Sequence, residues 1–415
     1  MDFMGSNIKR FSTKRILSNE FHSVLLNEFN RIITDDANYK SIDSFDFNNN
    51  DVKANSKILK NWVNLKDKMV NSVLWFIPSF LAPFAGINNI LSVASFLQNK
   101  SIEQRFVLLG DREVSNLCEK NFRTGAYGNN FKNIKIYKNP KIDQLEYADI
   151  SFATRWDTAF SVLKFKNTKG KFYFIQEDER LLFPGTIFRD LAQLTYTFGF
   201  IGITNALELK HMYNNEFHGK AGYYFPVPDK IFFTNRKSPR SKIKSIWFYA
   251  RTRSERNGFH LGILTLKQIK DRHPELKIYL AGEKSIKLRA DFDYEDAGDI
   301  KDTKELSKFY SKCDVGIYLL FSKHTGVIPF ELMASGCITL TNRKMYKTYA
   351  LKDGFNCIMG DPIPKRLAES FDKIYYDIEL RKKIFKNGRE TVKGTNKEKE
   401  LQKVYEYIVG IREPD

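Results

Sequence analysis

Four cysteines, Cys118, Cys313, Cys337 and Cys357, stand far apart with no C-x-x-C pair among them. The sequence therefore offers no disulfide framework and no thiolate zinc site, and a reducing, cytosolic compartment is expected. Six histidines include no H-E-x-x-H and no other close ligand spacing, so no metal is called for. A G-x-G-x-x-G turn after a strand is also missing, which argues against a nicotinamide enzyme, and no cofactor is expected. No apolar h-region precedes the first polar residues, so a cleavable leader is not expected. A charge-free run, Met69 to Asn99, is interrupted by Pro78, Pro83, Gly86, Asn88 and Asn89, a cluster that a membrane-spanning helix does not accommodate.

What is present is the composition of a globular chain: 415 residues, 42% hydrophobic, 28% charged and 14% aromatic, enough for two domains with cores of their own. The formal net charge of +18 is unevenly spread. Between Arg236 and Arg272 eleven Lys/Arg are set against Glu255 and Asp271 alone, a net +9. Such a block attracts a polyanion, and the candidates are a nucleotide diphosphate, an anionic membrane surface and nucleic acid.

Residues 1 to 68 carry helical periodicity, with Ile8, Phe11, Phe21, Val24, Leu25, Phe29, Ile32 and Ile33 able to share a face. Lys9, Arg10, Lys14 and Arg15 leave two readings open, a basic amphipathic anchor at a membrane surface or a helical extension packed on the first domain. From Ser72 the pattern changes to strands alternating with helices, the grammar of a parallel sheet. Strands are predicted at Ser72 to Ile77, Arg105 to Leu109, Ile134 to Tyr137, Asp149 to Ala153, Lys171 to Gln176 and Tyr223 to Val227, with a helix at Thr204 to Tyr213. Pro226, Pro228 and the polar run Thr234 to Ser241 read as a linker. A second series opens with the strand Ser245 to Ala250. The expected domains are 69–235 and 236–390, and the last helix, in 391–415, crosses back to brace the first.

In parallel sheets ligands sit beyond the carboxyl ends of the strands. Asp178 and Glu179 follow the strand at Lys171, where a carboxylate can orient acceptor hydroxyls or, with a raised pKa, act as a base. The other reading is a solvated acidic turn that neutralises Arg180 and Arg189. Arg251, Arg253 and Arg256 follow the strand at Ser245, and a guanidinium suits a diphosphate through permanent charge and bidentate hydrogen bonds. Asp291 and Asp293 form a D-x-D that reads as a solvated loop. The organising stretch is Phe321 to Asn342, in which the loop Ser322 to Ile328 leads into a helix bearing Glu331. Free N–H groups at a helix start can meet a diphosphate, and a carboxylate one turn in can accept from hydroxyls.

Pro329, Glu331, Met333, Ala334 and Gly336 resemble the helix start of the two-domain (GT-B) retaining glycosyltransferases of family 4 type. The resemblance implies an α/β fold of two Rossmann-like domains facing across a cleft, with the N-terminal helical extension added. It also implies that Glu331 accepts from ribose hydroxyls of a nucleotide-sugar donor. Thr325, Gly326 and Val327 would lie beside that donor, with Gly86 on a cleft-facing loop and Arg251 or Arg256, with Arg253 and Lys301, near the diphosphate. The family usually has a second Glu eight positions before Glu331; here that position is Lys323, and with His324 it joins Asp178 and Glu179 as the catalytic candidates. Gln176, Asp178 or Glu179, Phe183 and Pro184 resemble a segment of bacterial rhamnan-type and S-layer-glycan rhamnosyltransferases. The implied activity is metal-independent transfer of a sugar, with rhamnose from dTDP-rhamnose favoured, to a glycan or lipid-linked glycan acceptor of the cell surface. It would take place in the cytoplasm or peripherally at the inner face of the membrane, with no nucleic-acid partner. The alternative is a nucleic-acid-binding or non-catalytic scaffold protein that uses the basic 236–272 block, with affinity falling steeply with salt.

Overall fold

The computed structural model describes residues 45–65, 68–79, 85–124, 127–252, 255–283, 291–300, 302–346 and 348–410. The basic face from Lys9 to Arg15 and the donor candidates Arg253 and Lys301 lie outside the described residues.

Two parallel sheets carry the chain. The first contains β1 (Ser72–Pro78), β2 (Glu103–Leu109), β3 (Lys135–Lys138), β4 (Ala148–Ala153), β5 (Thr168–Ile175), β6 (Ile201–Thr204) and β7 (Ala221–Tyr223), in the order β3-β2-β1-β4-β5-β6-β7. The second contains β8 (Ser245–Tyr249), β9 (Lys277–Ala281), β10 (Glu295–Gly298), β11 (Val315–Ile317), β12 (Ile338–Asn342) and β13 (Ile358–Gly360), in the order β10-β9-β8-β11-β12-β13. Both have the doubly wound Rossmann order, whose direction reverses between β1 and β4 and between β8 and β11. The helices around the first sheet are α1 (Asn49–Asn64), α2 (Ala85–Asn99), α3 (Arg112–Thr124), α4 (Trp156–Lys164), α5 (Ile187–Tyr196) and α6 (Leu207–Phe217). Those of the second part are α7 (Phe259–Arg272), α8 (Thr303–Lys312), α9 (Ile328–Ser335), α10 (Pro364–Tyr376), α11 (Ile378–Val392) and α12 (Lys397–Ile408).

Helices cover both faces of a parallel sheet, so its central strands are apolar throughout. All seven residues of β1 are buried, and Trp75 stacks on Phe152 of β4 at 4.2 Å. One device ties the amino ends of the central strands in both sheets. Asp149 Oδ2 accepts from the N–H of Asn71 (2.8 Å) and Ser72 (3.1 Å), and Asp314 Oδ2 accepts from Lys244 (2.8 Å) and Ser245 (3.2 Å). Asp314 also pairs with Arg236 and Arg240 at 3.3 and 2.9 Å.

Helix α1 starts at a capping box of Asn48 and Asp51. It lays Trp62 edge-on against Phe172 of β5, and Asn55 donates to the Phe198 carbonyl at 2.8 Å. Helix α12 returns to the first sheet, where Leu401, Val404 and Ile408 join its core and Glu400 accepts from the Phe225 N–H at 2.8 Å. Three elements differ from expectation. Ile201–Thr204 is a strand, and the helix predicted from Thr204 begins at Leu207. The last strand of the first sheet is Ala221–Tyr223 rather than Tyr223 to Val227, because Pro226 has no N–H for the ladder. The polar edge strand β10 carries no hydrophobic alternation that would have marked it. Among the described residues no helix is long and apolar enough to cross a membrane.

Candidate active site

The loops after β8 and β11 flank the reversal point of the second sheet, and the functional candidates gather there. Between β11 and α9 the chain turns at Gly326, whose φ is +69°. A Cβ on it would lie 2.6 Å from the Tyr318 hydroxyl, so glycine alone fits this close approach. Val327 caps α9, its carbonyl accepting from Phe330 (3.0 Å) and Glu331 (3.1 Å). Glu331 is half-buried, and its carboxyl makes no hydrogen bond or ion pair among the described residues. Burial, with the Asp229 charge adding to it, pushes that carboxyl up to about 7.

The first domain answers with carboxylates from the end of β5 and from α6. Glu177 is buried and accepts from the Ser322 hydroxyl, from His324 Nε2 (3.0 Å) and from Arg256 Nη1 (2.8 Å). Burial alone would raise its pKa; His324, Arg256 and Ser322 outweigh that and hold it below the ordinary glutamate value. The Gly326 N–H donates to His324 Nδ1 at 2.9 Å, so the ring accepts at Nδ1 and donates at Nε2. Lys323 spans Glu216 (2.7 Å) and Asp178 (3.1 Å), and Asp178 also takes both prongs of Arg180 at 2.7 and 2.8 Å. Lys344, half-buried, donates to the carbonyls of Ser322 (2.8 Å) and His324 (2.9 Å), and burial lowers its pKa to about 8. Glu208 of α6 accepts from the Tyr349 N–H at 3.0 Å. Four carboxylates of the first domain thus clasp the loop and neighbouring turn of the second.

The sequence candidates separate by place. Asp178, Lys323, His324 and Arg256 meet in the clasp. Glu179 turns into the first domain's core, where it accepts from the Trp156 N–H and the Tyr173 hydroxyl and its own N–H donates to Tyr196. Burial pushes that carboxyl up to about 8. Gly86, expected on a loop, lies instead in the first turn of α2, its carbonyl held by Gln176 Nε2 at 2.9 Å. Arg251 is exposed, with Nε 3.3 Å from the Gly282 carbonyl. Thr325 is buried on a recess of about 240 Å³ shared with Glu208 and Tyr349. Asp291 lies exposed, 4.0 Å from Lys267. Glu177, Glu208, Glu216 and Lys344 were not among the candidates. Glu177 directly precedes Asp178 in the same acidic turn, whereas nothing in the sequence marks the other three.

Residues 244–372 match the family model described as WsaF, C-terminal domain. The O-antigen biosynthesis protein RfbC of Myxococcus xanthus is 29% identical over 357 residues, which is 81% of this chain and 27% of that protein. The chain therefore spans about a quarter of the length of that curated relative. In three dimensions it is similar to Anabaena Alr3699/HepE in complex with UDP and glucose, with a TM-score of 0.60 at 14% identity over 82% of this chain and 99% of that one. It is also similar to WaaG, a glycosyltransferase involved in lipopolysaccharide biosynthesis, with a TM-score of 0.52 at 11% identity over 81% of this chain and all of the other. The fold is GT-B. Its two Rossmann-like sheets meet through the clasp just described, which joins the β5 and α6 ends of the first to the β8 and β11 loops of the second.

Proposed function

We propose that the chain is a glycosyltransferase that binds a nucleotide-diphosphate sugar between its two domains and passes the sugar to a growing surface glycan. The observation that carries this reading is Glu331, a half-buried carboxyl with no protein partner among the described residues, set one turn into a helix at the reversal point of a Rossmann sheet. In its ionised form it accepts from the two ribose hydroxyls, while the start of α9 and Arg256, with Arg251 nearby, receive the diphosphate. The bond from the anomeric carbon to the diphosphate oxygen breaks and a bond to an acceptor hydroxyl oxygen forms. The hydroxyl proton leaves with the departing phosphate, whose charge these fixed groups stabilise. Arg256 is shared, since Glu177 already holds it, so an arriving diphosphate competes with Glu177. In this reading Asp178, Lys323 and His324 hold the domains in register, and Glu179 supports the first domain from within.

The finer assignment is rhamnose from dTDP-rhamnose, with retention of anomeric configuration and a glycan or lipid-linked glycan acceptor at the cytoplasmic side of the membrane. It is supported by the Gln176 to Pro184 segment and by the likeness to an O-antigen biosynthesis protein. The test is a calorimetric panel of dTDP, UDP, GDP, ADP and a short DNA strand, with and without a divalent metal, on the chain and on Glu331→Ala. One diphosphate bound by the chain and at least tenfold more weakly by the variant is expected. Equal binding to both proteins, or preference for DNA, would overturn the reading.

A further inference from the structure

A second recess, of about 760 Å³, lies at the other end of the second sheet, lined by Lys242, Lys244, Lys277 and Arg381 together with Tyr279 and Tyr375. Lys244 immediately precedes β8 and Lys277 opens β9, so the recess sits at the amino ends of these strands. The donor candidates sit at the carboxyl ends, separated by the length of a five-residue strand, about 16 Å. The recess is therefore a separate place from the donor site.

The recess carries positive charge that the described residues leave unanswered. Among the described residues the ammonium groups of Lys242, Lys244 and Lys277 make no ion pair or hydrogen bond, and three like charges around one hollow repel each other. Its one lining acid, Glu275, is engaged by the Tyr375 hydroxyl. Arg381 is only 3% exposed. Its Nη1 and Nη2 donate to the carbonyls of Tyr375 (2.9 Å) and Ser241 (2.6 Å), and its buried Nε has no partner. The acids near enough to favour its charge are committed elsewhere. Asp314 serves Arg236, Arg240 and two strand N–H groups, and Asp377 caps α11 through the Leu380 N–H. Burial outweighs both and depresses the guanidinium's pKa. A buried guanidinium with an unsatisfied donor in the wall of an open, basic recess favours an oxyanion lodged there.

We propose that this recess binds an anionic saccharide, its carboxylate or phosphate held by Arg381 and the three lysines and its ring laid against Tyr279 or Tyr375. Its volume suits a ligand of a few rings rather than a lone ion, and two tyrosine walls suit the apolar face of a sugar. The site does not depend on the donor reading.

The test titrates the full chain at low salt with trigalacturonate and with glucose 6-phosphate, using glucose as the neutral control. The first two separate a carboxylate from a phosphate source. One equivalent of at least one charged probe is expected to bind with a dissociation constant below about 1 mM, and glucose is not. Changing Lys242, Lys244 and Lys277 together to Ser is expected to weaken binding at least tenfold, as is Arg381→Lys, while Glu331→Ala leaves it unchanged. A UDP titration run alongside reports on the cleft separately. Failure of both charged probes, glucose binding as well as they do, an unaffected triple variant, or loss of probe binding in Glu331→Ala would each overturn the proposal.

Discussion

Replacing Glu331 by Gln is expected to stabilise the empty protein while removing its grip on a donor. Burial pushes the carboxyl up to about 7, against 4.5 for a solvated glutamate. Between those values the folded chain holds a proton that the unfolded chain has released, so this group lowers stability progressively as the pH rises through that window. Well above pH 7 the difference corresponds to about 3 kcal/mol, and at pH 5 only about a quarter of it has developed. The side chain is partly exposed, and water relieves some of the penalty, so an effect of about 1–3 kcal/mol at pH 8 is reasonable. A neutral amide of the same shape does not pay for losing water around a charge. Differential scanning calorimetry at pH 5 and pH 8 on both proteins reads the outcome, with a gain in Tm of about 2–4 °C per kcal/mol for a domain of this size. The gain should be several-fold larger at pH 8. A shift of equal size at both pH values, or a loss of stability at pH 8, refutes the claim that this carboxyl is desolvated and, among the described residues, unpaired.

Two further outcomes concern the clasp. Lys323→Glu sets a third carboxylate against Asp178 and Glu216, where unit charges 4 Å apart repel by about 4 kcal/mol at the effective dielectric of a protein surface. The radius of gyration from solution X-ray scattering should rise as the domains part, and Asp178→Asn with Glu216→Gln should reverse it; an unchanged radius would show that the clasp does not hold the domains. Lys344→Met frees the carbonyls of Ser322 and His324. Donor binding should weaken at least tenfold, with partial recovery in Lys344→Arg, and unaltered binding would remove Lys344 from loop positioning.

Both sheets were legible from runs such as Ser72 to Ile77 and Ser245 to Ala250, because a strand covered on both faces must be apolar along its length. The helix start at Pro329 to Gly336 was legible because its special residues are local: a proline, a carboxylate and a C-terminal glycine within one short helix. The clasp was not. Glu177 and Glu179 are two residues apart and chemically identical, yet one meets the second domain and the other enters the core. Which is which depends on the turn after β5 and on a partner more than a hundred residues away. Lys344 is likewise an ordinary lysine until the loop carbonyls it serves are placed beside it.

The basic block makes the same point about charge. Read along the chain, Arg236 to Arg272 is a single net +9 run, but folding sends its members to different tasks. Arg236 and Arg240 answer the buried Asp314, Arg256 meets Glu177 in the cleft, and Arg272 on α7 pairs with Asp372. Lys242 and Lys244, with Lys277 from beyond the run, line the rear recess without an ion pair among the described residues. A continuous nucleic-acid surface needs those charges on one face, repeating along a phosphate backbone, whereas Arg236, Arg240, Arg256 and Arg272 are each engaged by a carboxylate. The position eight residues before Glu331 follows the same logic. A carboxylate there would face Asp178 and Glu216 across the domain boundary, so in this chain a lysine at 323 is the residue that lets the two acids of the first domain and the loop of the second come together.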